Sequence, residues 1–171
     1  WLWTLFPNES LLILRPDDGL VREAARPLLE KEIRRPLLAA AGVEEMSEAW
    51  SRLGFPAQLH KRADRVSFFL IEDNQRIPLH FTGDGLFTGG DTAYTRDELL
   101  RRLERQPEAF SSSAILRPVI QDAVFPTAGF VLGPSEAGYH VLLRGVYENH
   151  GIPRPVLVPR FGCTLIEGRE M

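Results

Sequence analysis

Arg117, Gln121 and Asp122 stand together just ahead of the apolar run Phe125 to Leu132, and no other polar cluster in this 171-residue chain offers as much chemistry. Arg117 and Gln121 are four residues apart, so on a helix they share one face and can reach into a single cleft. A guanidinium presents a planar fork of donors suited to a carboxylate or a phosphate. The structural alternative is that Arg117 pairs with an acidic residue and braces its helix. A second candidate lies at the end of the apolar run, where Gly133-Pro134-Ser135-Glu136 opens a helix. Free N–H groups and the dipole at a helix start favour an anion, and glycine removes the Cβ that would block its approach. Glu136 in the first turn can satisfy the same groups by capping. In open α/β sheets ligands collect beyond the strand ends where helix N-termini converge. A cleft is therefore expected at the carboxyl end of the strand Thr127 to Leu132, between the Gly133-Pro134 turn and the Arg117–Gln121 face.

The remaining chemical residues carry less. His60, His80, His140 and His150 show no metal-ligand spacing, and no C-x-x-C or H-E-x-x-H motif occurs, so no metal site is expected. Cys163 is the single cysteine, which rules out an intrachain disulfide framework and fits a reducing cytosol. With only Arg160 nearby to stabilise a thiolate, Cys163 reads as a small buried hydrophobe. Gly83, Gly85 and Gly89 imitate a dinucleotide fingerprint, but no helix follows at once. They read instead as glycines supplying positive φ in hairpin turns.

The elements that must position these residues follow from apolar periodicity. Leu11 to Leu14 reads as a buried strand, and Pro16-Asp17-Asp18 as a turn and N-cap. Helical spacing runs from Val21 to Ala40, interrupted at Pro27 and Pro36, which predicts kinked or separate helices. A further helix is expected from Glu44 to Leu53. Val66 to Ile71 and Ile77 to Phe81 form a hairpin about Glu72-Asp73-Asn74-Gln75, and Leu86 to Thr88 adds an edge strand. Thr95 with Glu98 is a capping box starting a helix to about Arg105. Pro118 opens a short helix to Ala123. Pro134 opens another to His150, with Gly151 at the left-handed cap position. A strand over Val156 to Val158 completes a β-α-β unit. The fold class expected is α/β: a three-layer, Rossmann-like domain with a mainly parallel sheet and an antiparallel hairpin inserted between Val66 and Thr88.

Composition narrows the function class. Apolar residues make up 44% and charged residues 25%, a globular balance that suits one domain over residues 1–171. A net charge of −3 argues against nonspecific nucleic-acid binding, which draws on a basic surface. No apolar run reaches the ~18 residues of a membrane helix, so neither nucleic acid nor membrane is an expected partner.

Leu116 to Arg160 closely resembles the cysteine-adding enzymes of bacillithiol biosynthesis, the BshC family. Arg117-Pro118, Gln121-Asp122, Pro126-Thr127, Gly133-Pro134, Glu136, Tyr139, Pro155 and Pro159-Arg160 fall in register with that family's motif. Leu11 to Asp18, Glu98-Leu99-Leu100 and Pro107 to Ser111 agree more loosely. Three positions depart from the pattern: Gly129-Phe130 stands for Ala-Tyr, and Leu132 replaces a glycine. The resemblance implies a cytoplasmic ligase forming a carbon–nitrogen (amide) bond between cysteine and glucosaminyl malate. It places Arg117, Gln121, Asp122, Thr127, Gly133, Pro134, Glu136 and Tyr139 at the substrate and leaves the catalytic residues unassigned. Amide formation needs an activated carboxyl, which leaves a nucleotide such as ATP or ADP, or another activating route, open. Family members are longer, with a preceding nucleotide-fold segment and a following coiled coil through which a homodimer forms. The chain thus reads as a fragment, inactive by itself. Two rivals stand beside this reading: a non-catalytic ligand-binding or assembly module, and a nucleotidyltransferase-like enzyme of the same fold.

Overall fold

The computed structural model describes residues 2–7, 13, 15–56 and 64–163. The strand expected over Leu11 to Leu14 falls, apart from Ile13, outside them, as does His60. In chain order the elements are α1 (Leu2–Leu5), α2 (Gly19–Arg34), α3 (Leu38–Arg52), β1 (Arg65–Glu72), β2 (Gln75–Phe81), β3 (Leu86–Gly89), β4 (Thr92–Thr95) and α4 (Arg96–Arg105). A 3-10 turn (Pro107–Ala109) leads into β5 (Phe110–Ser112), followed by α5 (Arg117–Val124), β6 (Gly129–Leu132), α6 (Pro134–Leu142), α7 (Arg144–His150) and β7 (Val156–Pro159).

Local chemistry sets most of these boundaries. The Asp18 carboxylate accepts the Leu20 N–H at 2.9 Å and starts α2. Pro27 lies inside α2 without ending it, while Pro36 sits in the break before α3. The α3 helix begins at Leu38, earlier than the expected Glu44. Thr95 and Glu98 form the expected capping box of α4, with Thr95 N–H donating to Glu98 Oε2 at 2.7 Å. The single helix expected from Pro134 to His150 is two, broken at Leu143. It ends at Gly151 in the left-handed cap with φ 72°.

The main sheet departs from expectation. Its order is β4-β3-β2-β1-β5, and every pairing in it is antiparallel. The mainly parallel three-layer arrangement is therefore corrected. The connections explain why: two residues join β1 to β2 and two join β3 to β4, whereas a parallel neighbour needs a crossover of ~12 residues or more. Asp73 (φ 48°) and Asn74 (φ 61°) both adopt the left-handed backbone that a two-residue hairpin turn demands. The hairpin is not an insertion but the centre of the sheet, since β1 pairs with both β2 and β5. Likewise Leu86–Gly89 is no edge: β4 pairs outside it. Gly83 and Gly85 do occupy positive φ, in the β2–β3 turn. The only parallel pairing among the described residues is β6 with β7, a separate two-stranded sheet that closes the expected β-α-β unit.

One core joins the sheet to its helices. Phe68, Phe87 and Phe110, from three strands, are fully buried and stand 5.9–6.4 Å apart by ring centroid about Phe68. Leu29 and Ile33 of α2, Leu99 and Leu103 of α4, and Val119 of α5 close over them. On the other flank α3 crosses α7 at paired glycines. A Cβ on Gly42 would stand 2.5 Å from the Gly145 carbonyl carbon.

Candidate functional site

The face of α5 carrying Arg117, Ile120, Gln121 and Val124 repeats at i, i+3, i+4 and i+7, so the four residues form one stripe. Opposite runs the stripe Val21, Arg22, Ala25 and Leu29 of α2. Between them lies a cleft of about 490 Å³, floored by Phe110, Ser111 and Ser112 of β5 and flanked by Arg15 and Arg76. Among the described residues four guanidinium groups line this cleft and no carboxylate does. Asp17 pairs with Arg15 at 2.6 Å.

Each arginine is held differently. Arg76 lies 4.1 Å above the Phe69 ring and donates to the Ser112 carbonyl at 2.7 Å. Arg22 donates through Nε to the Pro16 carbonyl at 2.9 Å. Burial pulls the Arg22 guanidinium below its ordinary pKa; Asp17 opposes that shift, and the Arg76 charge adds to it. Among the described residues Arg117 makes no ion pair. Like charges gathered at a partly dry surface repel one another, and an anion placed among them relieves that repulsion. The arrangement joins four cationic side chains to an apolar wall, a setting in which an anion would be favoured.

The other expected site residues lie elsewhere. Asp122 turns to the back of α5, where Tyr147 donates to its Oδ2 at 2.5 Å, tying α5 to α7; Asp122 Oδ1 is buried without a partner. Burial, then the hydrogen bond to Asp122, drives the Tyr147 hydroxyl far above its ordinary pKa. The Thr127 hydroxyl donates to the Phe125 carbonyl at 3.2 Å. Tyr139 donates to the Ala114 carbonyl, and burial raises its pKa. Gly133 and Pro134 do not border the arginine cleft. Gly133 N–H is taken by Glu136 Oε2 at 2.8 Å, and a Cβ on Gly133 would stand 3.0 Å from an Arg160 guanidinium nitrogen. The glycine thus admits Arg160, and the helix start is capped by its own carboxylate. The structure brings Arg117 and Gln121 together in one cleft and separates them from Gly133, Pro134 and Glu136.

Several groups escaped the sequence. Arg15, Arg22 and Arg76 sit far from Arg117 along the chain, and no local pattern links them. Glu32 and His150 form a fully buried pair at 3.0 Å, and Glu32 Oε1 also accepts Ala39 N–H at 2.8 Å, capping α3. His140 is buried beside the Phe130 ring at 5.0 Å, and burial lowers its pKa. Cys163, expected to be buried, is exposed; it lies beyond β7, outside the described elements. Among the described residues no three His, Cys, Asp or Glu side chains converge as metal ligands.

An arginine-lined cleft between α2 and α5 and a parallel β-α-β unit mark this mixed α/β domain. Residues 1–161 match the family model of the N-terminal Rossmann-like domain of bacillithiol biosynthesis BshC, and the chain belongs to that family. It is 33% identical over 168 residues to a protein of Salinibacter ruber provisionally named cysteine ligase BshC, covering 97% of this chain and 30% of that one. The namesake of Carboxydothermus hydrogenoformans is 39% identical over 170 residues, covering 96% and 31%. That of Bacillus mycoides is 31% identical over 165 residues, covering 95% and 30%. The chain thus spans about 30% of the length of these relatives.

Proposed function

We infer that this chain is the N-terminal Rossmann-like part of a bacillithiol-biosynthesis ligase that joins the carboxyl of cysteine to the amine of glucosaminyl malate. Family membership supports the ligase class, and the four-arginine cleft is the observation that carries the assignment of a substrate group. Malate presents two carboxylates, and planar guanidinium forks bind carboxylates through paired charge-assisted hydrogen bonds. Arg22, Arg76 and Arg117 hold the malate end of the acceptor, Gln121 adds a polar contact on the Arg117 face, and the apolar wall of Val21, Ile120 and Val124 excludes water from those bonds. The amide bond forms as the sugar amine displaces the leaving group of an activated cysteine carboxyl.

The test uses the full-length polypeptide that carries this segment, with product followed by mass spectrometry. Arg22→Ala and Arg76→Ala are expected to raise KM for glucosaminyl malate and leave KM for cysteine unchanged. A rise confined to cysteine, or no change in either, assigns the malate end to another place.

A further inference from the structure

The pair β6–β7 is a parallel sheet with one face covered. Successive residues on a strand alternate in direction, and the register pairs Gly129 with Val156 and Val131 with Val158. These four therefore share a face, while Leu132 and Leu157 point the other way, toward α6, which packs on both strands. Leu132 is buried. The valine face is open: Val131 is 68% exposed, Val156 67% and Val158 45%, and Phe161 just beyond β7 is 89% exposed. Parallel sheets occur almost only with helices on both faces, because each crossover lays a helix against the sheet. The crossover from β6 to β7 runs through α6 and α7 and supplies one cover only.

We propose that the Val131–Val156–Val158 face is an intramolecular docking surface, covered by the apolar side of a helix from the part of the longer polypeptide outside these 171 residues. About 70% of the length of the relatives lies outside the match, so the family has ample chain to supply a further crossover. A second copy fits less well. Three valines and one phenylalanine on a two-stranded sheet fall short of the roughly 20–30 residues a side of a stable dimer. The inference does not depend on the ligase assignment.

The experiment uses the full-length polypeptide with Cys163→Ser, into which Val131→Cys or Val156→Cys is placed. Maleimide labelling of each native variant is expected to run at least about 100-fold slower than labelling of the same variant unfolded in urea, as for a group reached only by opening of the fold. Labelling within a few-fold of the unfolded rate overturns the proposal. The photocrosslinking amino acid benzoylphenylalanine, incorporated during synthesis in place of Val131 or Val156 in a mixture of light and heavy-isotope chains, identifies the cover. Same-chain crosslinks to a peptide outside residues 1–171 are expected. Mixed-isotope crosslinks, which mean a second copy, or crosslinks to a peptide within residues 1–171, overturn it.

Discussion

At the scale of single residues, α5 separates two jobs that its sequence runs together. Arg117 and Gln121 face the cleft, and the four-residue spacing made that legible. Asp122, next in the chain, points to the opposite side and holds Tyr147. Neighbouring letters on a helix are about 100° apart, so adjacency in a motif says nothing about a shared site. Arg22 and Arg76 were invisible because their convergence is made by packing and not by spacing. In the full-length enzyme Arg117→Ala is expected to weaken glucosaminyl malate binding by about 1.5–3 kcal/mol, the range for a hydrogen bond to a charged group, with an unchanged melting temperature. Arg117→Lys should rescue little, because a point charge cannot reproduce the fork. Titration calorimetry beside a thermal melt separates the cases: lost stability with intact affinity makes Arg117 a brace. Tyr147→Phe should do the reverse, costing about 1.5–3 kcal/mol of stability in urea unfolding, since it leaves Asp122 with no partner. His140 adds a pH dependence. Burial lowers its pKa from the ordinary 6.5, so below that value the unfolded chain binds a proton that the folded chain resists. Stability then falls as pH drops through 6.5 toward the folded value. His140→Phe, similar in shape and without a titrating group, should flatten that part of the pH–melting curve; an unaltered curve sinks the assignment.

At the scale of elements, what was legible is what is local. The capping box at Thr95, the proline at the start of α6, the Gly151 cap and the Asp73-Asn74 hairpin are each decided by a few adjacent residues, and all four appear where their chemistry placed them. The sheet is not local. The hairpin period is the same whether β1 and β2 are an insertion or the centre, and only the pairing of β1 with β5, across α4, decides. The short polar run Thr92–Thr95 carries too little apolar signal to announce β4. Helix crossings were equally hidden: Gly42 and Gly145 each look like a poor choice for a helix interior until they meet. Their meeting brings α3 and α7 backbone to backbone, and a Cβ on Gly42 has main-chain atoms, which cannot swing aside, 2.5–2.7 Å away. Gly42→Ala therefore must push the two helices apart, and despite alanine's better helix propensity it should lower stability by about 1–3 kcal/mol. Denaturant unfolding of the variant checks this. A stabilised or neutral Gly42→Ala would mean that the crossing is looser than drawn.

At the scale of the whole molecule, the arginine cleft offers charge and hydrogen-bond donors but, among the described residues, no acid–base group. Its lining contains guanidinium, amide, hydroxyl and apolar groups, and none of them is a general base poised near neutral pH. The α6 start, where an activating phosphate would sit most favourably, is filled by Glu136 and Arg160. A ligase must also hold an activated cysteine carboxyl against the acceptor amine, with the reacting atoms within ~3.5 Å. The groups for that step are expected in the part of the relatives, about 70% of their length, that this chain does not span. The 171 residues alone should therefore bind without turning over. Incubated with cysteine, glucosaminyl malate and ATP, the segment is expected to yield no enzyme-dependent cysteinyl product by mass spectrometry. The full-length polypeptide under the same conditions should yield it if ATP is the activating route, and adding the segment should not increase that yield. Product that scales with the concentration of the segment would place the activating chemistry inside residues 1–171 and overturn this division of labour.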